Sequence, residues 1–115
     1  MQLESEVLQL EDGIVVVALK GRLTLGTRLS LAEAQINSAL KEGATKLILD
    51  LEEVDYADSA GLGVLLHAAG IMRSRPGKLV LAAPNETLHK LFELTNTTQL
   101  LTIVPNRDAA IEALR

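Results

Sequence analysis

LILDLEEVDYADSAGLGVLLHAAGIM, residues 47–72, carries a strand, a polar turn and a helix in succession. Leu47, Ile48 and Leu49 form a short apolar run without the polar alternation of a half-exposed strand, which predicts a strand over 46–50 covered on both faces. Residues 55–61, Asp-Tyr-Ala-Asp-Ser-Ala-Gly, read as the turn that leaves it. Beyond the turn, Leu62, Leu65, Leu66, Ala69 and Met72 recur at the spacing of one helical face, and Val64, Ala68 and Ile71 make a second apolar stripe. Two apolar faces predict a helix that is largely covered, or one that offers its outer stripe of Val64, Ala68 and Ile71 to a partner. Ser59 therefore stands where a buried strand hands over to a helix, among backbone N–H groups that the first helical turn leaves unpaired.

The 115 residues fit one domain, long enough to bury roughly two thirds of its unfolded surface. Cysteine is absent, which removes disulfides and thiol chemistry and fits a reducing compartment. No His or Cys cluster suggests a metal, and no cofactor is implied. Apolar residues make up 48% of the chain but aromatics only 2%, so the core has to be built from Leu, Val, Ile and Ala. A net charge of −4, with no Lys/Arg cluster, argues against nucleic acid or an anionic membrane as the main partner. The first six residues are acidic where a signal peptide is basic, and no apolar run approaches the roughly 18–20 residues that span a bilayer. The expectation is a soluble cytoplasmic protein with no membrane insertion.

Upstream, Val7, Leu8 and Leu10 precede the turn Glu11-Asp12-Gly13, and the β-branched run 14–19 follows it, so the chain opens with a hairpin whose first strand is at an edge. Gly21-Arg22-Leu23-Thr24 leads out of the second strand. Thr27 or Ser30 is placed to cap the next helix, and Ser30-Leu31-Ala32-Glu33 has capping-box spacing. That helix presents Leu29, Ala32, Ile36, Ala39 and Leu40 to the core, and Gly43 ends it by accepting a left-handed backbone. Downstream of the central helix, Pro76-Gly77 turns the chain, and residues 79–82 make a short buried strand. Asn85 caps a helix with Leu88, Leu91 and Phe92 inward and Glu86, His89, Lys90 and Glu93 in water. Residues 101–104 make a last strand, and a short helix over 107–115 buries Ala110, Ile111 and Leu114. The order ββαβαβαβα predicts an α/β fold with a mixed, mostly parallel β-sheet packed against helices. Partner surfaces in such sheets lie beyond the carboxyl ends of the strands, where the 55–61 turn falls.

The chemistry-bearing residue of that turn is Ser59. A phosphate on it would meet the positive end of the helix dipole and free N–H donors, while adding charge beside Asp55 and Asp58 and repelling a docked partner. The plainer reading makes Asp58 or Ser59 an N-cap and nothing more. Gly61 and Gly63 each cost a helix about 1 kcal/mol relative to Ala. Gly63, His67 and Gly70 share one side of the helix, which suits close approach of the sheet or of another chain. Catalysis finds little support. Asp58 adjoins Ser59, no Gly-x-Ser-x-Gly elbow exists, and His67 lies about 12 Å along the helix, too far to take a proton from Ser59. His89 is a solvated surface residue. Asp50, Glu52, Glu53, Asp55 and Asp58 read as a strand-end charge cluster in solvent before they read as a cation site.

Asp58-Ser59-Ala60-Gly61-Leu62-Gly63 resembles the motif of the STAS family, the domain shared by sulfate transporters and bacterial anti-sigma-factor antagonists. The resemblance extends over nearly the whole chain, through Gly21-Arg22-Leu23-Thr24, Leu47-Ile48-Leu49-Asp50-Leu51, and Leu88, Lys90, Leu91, Phe92, Leu94 and Thr95. It implies a stand-alone antagonist in transcription regulation or stress response, with no catalysis of its own. By partner switching, the dephosphorylated form captures an anti-sigma factor that is also a serine kinase, phosphorylation of Ser59 releases it, and a serine phosphatase resets the cycle. By the same analogy Gly21, Arg22, Leu23, Thr24, Asp58, Ser59, Ala60, Gly61, Leu62 and Leu66 contribute to the docking surface. The sequence departs from the family's Gly-x-Leu-Asp pattern at Thr24, which alters the edge a kinase meets. The alternative is a STAS module that serves as a scaffold or accessory subunit of a sensory or lipid-transport complex, with Ser59 used only as a cap.

Overall fold

The computed structural model describes residues 2–115. Among the described residues the chain runs β1 (Glu4–Gln9), β2 (Ile14–Leu23), α1 (Thr27–Lys41), β3 (Lys46–Ala57), α2 (Ser59–Arg73), β4 (Lys78–Ala82), α3 (Glu86–Leu94), β5 (Ile103–Val104) and α4 (Arg107–Leu114), with 3-10 turns at Glu11–Gly13 and Thr98–Leu100. The strands lie in the sheet in chain order, β1 antiparallel to β2 and every other pair parallel. The predicted mixed sheet, edge hairpin and ββαβαβαβα order are all present.

The near-continuous apolar strands are explained by their two covered faces. Val17 and Leu19 of β2, Leu47, Leu49 and Leu51 of β3, and Leu79 and Leu81 of β4 point to the side occupied by α1, α2 and α3. Ile14, Val16, Ile48, Val80 and Ala82, the alternate residues, meet Ala110 and Leu114 of α4 on the opposite side. Asp12 and Gly13 at the hairpin tip both take positive φ, 64° and 74°, which an Asp-Gly pair tolerates better than most. Gly43, with φ +91°, follows the end of α1, its N–H donating to the Leu40 carbonyl as expected of a helix-stopping glycine.

Several expectations need correction. The seven-residue turn over 55–61 shrinks to one residue: β3 extends to Ala57 and α2 begins at Ser59, leaving Asp58 between them. The reason lies in the pairing of β2 with β3. Ala18 faces Asp50 but Lys20 faces Glu53, and Gly21 faces Val54 but Arg22 faces Tyr56, so β3 holds one extra residue at each of two bulges. The buried residues of its second half, Leu51, Val54 and Ala57, are therefore three apart. Neither Thr27 nor Ser30 caps α1. The helix starts at Thr27 behind Gly26 with no side-chain cap, and Ser30, already inside the first turn, only reaches the Gly26 carbonyl at 3.5 Å. The last strand is confined to 103–104, because a 3-10 turn occupies 98–100 and Pro105, which lacks an N–H, follows.

The outer stripe of α2 is not offered to a partner. Val64 and Ala68 are buried in the same core as Leu29, Ala32, Ile36 and Leu40 of α1, and Ile71 packs against that core, because α1 lies alongside α2 on one face of the sheet. Asp50 does not belong to a solvated charge cluster either. It projects to the α4 side of the sheet, 5% exposed, where Arg107 donates to its carboxylate at 2.8 and 2.9 Å and the Glu52 N–H donates at 3.0 Å. A buried carboxylate needs such partners.

Candidate docking and modification site

Asp58 organises the carboxyl end of β3. Its backbone is extended, with φ −93° and ψ −174°, and its Oδ1 accepts the Gly61 N–H at 2.9 Å, the side-chain cap of α2. Its Oδ2 accepts the Leu25 N–H at 2.9 Å, across to the β2–α1 loop. Its own N–H donates to the Leu23 carbonyl at 3.1 Å. One residue thus ties the helix start to the end of the neighbouring strand by three bonds. The Leu25 N–H first, and the Gly61 N–H next, hold the Asp58 carboxyl below its ordinary value of 3.8, against a smaller opposing effect of burial.

Ser59 is the first residue of α2 and is exposed. With Asp58 as the cap, the Ser59 hydroxyl is not committed to the helix end. Gly61 is what allows the close tie beneath it: a Cβ there would lie 2.1 Å from the Leu23 carbonyl oxygen. Gly63 differs. It is exposed, and a Cβ there would meet nothing within 4 Å, so the side of α2 that carries Gly63 and His67 does not pack on the sheet. Gly21 is buried with φ +107°, and a Cβ there would lie 2.6 Å from the Gln2 carbonyl oxygen, so it shapes the strand and offers no side chain to a partner.

The residues assigned to the docking surface divide accordingly. Arg22 and Ser59 are exposed, and Thr24, Asp58, Ala60 and Leu66 are half-buried. Gly21, Leu23, Gly61 and Leu62 are buried and support this surface from beneath. The Arg22 guanidinium lies 5.4 Å from the centre of the Tyr56 ring, its cross-strand neighbour, a spacing that suits cation–π attraction. Tyr56 in turn lines a shallow apolar groove with Leu91 and Leu94. Sequence reasoning missed Leu25, which is 81% exposed and sits beside Asp58 in the β2–α1 loop. Periodicity does not mark a loop residue, and the only signal was an aliphatic residue standing between Thr24 and Gly26. Asn85 was expected as the α3 cap and is one, accepting the Leu88 N–H at 2.9 Å. Its amide also donates to the Val54 and Asp55 carbonyls at 3.1 and 3.2 Å, which steadies the bulged end of β3.

Among the described residues no group of three or more His, Cys, Asp or Glu is arranged to hold a metal ion, and no helix is long and apolar enough to cross a membrane. Chemically, the surface offers an unengaged hydroxyl, a helix start and a rim of aliphatic and basic side chains.

Comparison with known proteins finds relatives along nearly the whole chain. An anti-sigma-B factor antagonist of Listeria monocytogenes is 32% identical over 103 residues, covering 90% of each chain. A provisionally assigned anti-sigma factor antagonist of Bordetella bronchiseptica, BtrV, is 30% identical over 104 residues, covering 90% of this chain and 89% of that one. The crystal structure of a provisionally assigned anti-sigma factor antagonist from Thermotoga maritima superposes with a TM-score of 0.88 at 25% identity, over 96% of this chain and 94% of that one. The STAS domain model matches residues 7–110, which takes in β2, β3 and the Asp58–Ser59 junction. This chain belongs to the STAS domain family.

Proposed function

We propose that this chain is an anti-sigma-factor antagonist that docks an anti-sigma factor while Ser59 is free and lets it go once that partner, acting as a serine kinase, has phosphorylated Ser59. The relatives named as antagonists support the general role. The observation that carries the switch is the division of labour at the helix start: Asp58 caps α2, and the neighbouring Ser59 hydroxyl is exposed and uncommitted. A phosphate there adds about −1.5 to −2 charges beside Asp58 and Asp55. A partner seated over Ser59, Ala60, Leu66, Arg22 and Thr24 then meets like charge and a desolvation cost, while the helix dipole keeps the fold tolerant of the added anion. A serine phosphatase restores the docking form. In the alternative, an accessory-subunit role, Ser59 would serve only as a cap; here the cap of α2 is Asp58.

The test is mass spectrometry of the intact chain after incubation with ATP and candidate anti-sigma factors of the ATPase-like serine kinase type. Wild type is expected to gain one phosphate and Ser59→Ala none. A wild type that gains no phosphate, or an alanine variant that gains as much, overturns the switch.

A further inference from the structure

We infer that Asp58 is a positioning residue for partner docking: by bridging the Leu25 N–H and the Gly61 N–H it presents the exposed Leu25 side chain and the Ser59 hydroxyl as one rigid surface, with Leu25 as the apolar anchor that enters the anti-sigma factor. The inference rests on the docking role proposed above and adds the contact that fixes its geometry.

An aliphatic side chain 81% exposed on a loop normally loses conformational freedom when a partner takes it up, and that loss weakens binding. Here the backbone is already held. The Leu25 N–H is donated to Asp58 Oδ2 at 2.9 Å, and the residue two before it is locked from the other side by the bond from the Asp58 N–H to the Leu23 carbonyl at 3.1 Å. Asp58 Oδ1 is meanwhile fixed by the Gly61 N–H, so the carboxylate has no rotational slack. The Leu23 carbonyl and the bare Gly61 Cα are in direct contact beneath. Leu25 and the first turn of α2, which begins at Ser59, are therefore tied to one carboxylate, and an apolar anchor on the same junction as the hydroxyl gives a kinase a fixed point from which to register its substrate serine. The depressed ionisation of Asp58 fits a carboxylate engaged by two backbone donors at once.

Asp58→Asn separates the two jobs of the side chain. Asparagine caps helices as well as aspartate does, but with its oxygen on the Gly61 N–H its NH2 group faces the Leu25 N–H, and the bridge is lost. In the isolated chain, amide hydrogen exchange at Leu25 is expected to be slowed in wild type and to speed up by about tenfold or more in Asp58→Asn, with exchange at Leu65 in α2 unchanged. Binding to the anti-sigma factor identified by the phosphorylation assay, measured by calorimetry, is expected to weaken about tenfold in Leu25→Ala and in Asp58→Asn. The double variant should bind no more weakly than Leu25→Ala alone, because Asp58 acts through Leu25. Equal exchange at Leu25 in wild type and Asp58→Asn overturns the bridge. Unchanged binding by Leu25→Ala, or additive losses in the double variant, overturns the anchor. A wild-type chain that binds no anti-sigma factor overturns the docking role together with the function it rests on, while the exchange measurement decides the bridge independently.

Discussion

Gly61 and Gly63 stand two residues apart in α2, and the structure gives them opposite costs of acquiring a methyl group. At position 61 a Cβ would lie 2.1 Å from the Leu23 carbonyl oxygen, 2.8 Å from the Leu23 Cβ and 2.9 Å from its carbonyl carbon. None of these atoms is free to retreat: the carbonyl accepts the Asp58 N–H, and the Leu23 side chain is fully buried. Overpacking of this kind costs about 1–3 kcal/mol, and a backbone obstacle puts Gly61→Ala at the upper end. Alanine's better helix propensity returns about 1 kcal/mol, for a net loss of about 2 kcal/mol. For a chain of this length that is a fall in Tm of about 8 °C. At position 63 nothing lies within 4 Å, so Gly63→Ala should keep the propensity gain and raise Tm by up to about 4 °C. Scanning calorimetry on the two variants and wild type decides the matter. A Gly61→Ala variant as stable as wild type would refute the close approach of α2 to the end of β2, and a destabilised Gly63→Ala would refute the open face. The stabilised Gly63→Ala variant has a further use, since any loss of partner affinity in it reports a contact made by the partner and not a defect of the fold.

Arg107→Met leaves the buried Asp50 carboxylate with only the Glu52 N–H. Because Arg107 is itself about a third exposed, the loss should lie near the low end for a broken buried pair, about 3 kcal/mol by urea unfolding at pH 7; a loss below about 1 kcal/mol would count against the pair. Asp58 should titrate below 3.8, followed through its side-chain carbon shift by NMR. As its folded value is the lower one, its stabilisation is complete above 3.8 and disappears as pH falls through the folded value; a midpoint at or above 3.8 would contradict the two backbone bonds. Ser59→Asp places a negative charge in the first turn of α2, where the helix dipole offsets its repulsion by Asp58, so Tm should move by no more than about 2 °C while affinity for the anti-sigma factor falls. A large drop in Tm would make Ser59 a structural residue.

The parts of the fold that local chemistry dictates were legible in the residues. Apolar runs at 47–49 and 79–82 read as strands covered twice and are, Gly43 read as a helix stop and is one, and Asn85 was a cap in sequence and is one in structure. What escaped was set by tertiary pairing. In residues 52–57, Glu-Glu-Val-Asp-Tyr-Ala, the two bulges change the buried spacing from two to three, and a period of three is neither a strand's nor a helix's. Its acidic residues therefore read as a strand-end charge cluster in solvent, and residues 55–57 as the start of a turn. Asp50 shows the second kind of blindness: its partner Arg107 is 57 residues away in sequence, and nothing local separates a buried paired carboxylate from a solvated one. The outer stripe of α2 shows a third, since periodicity announces that Val64 and Ala68 are apolar but not whether α1 or another protein covers them.

The candidate site divides along the same line, and the division bears on how it works. Ser59 was recognisable because the helix start and its hydroxyl are both local. The residues beneath it are unlike typical contact residues: Gly21 and Gly61 lack side chains, and Leu23 is buried. Their pattern in the sequence is equally compatible with a partner's footprint and with a backbone that must pass close to itself. The 2.1 Å at Gly61 and 2.6 Å at Gly21 that would separate an added Cβ from a backbone carbonyl oxygen favour the second. A motif of this composition thus specifies a rigid junction between the ends of β2 and β3 and the start of α2, and leaves Ser59, Leu25 and Arg22 as the exposed residues with which that junction can be addressed. Partner choice should follow substitutions in those three, and folding should follow substitutions in the residues below them.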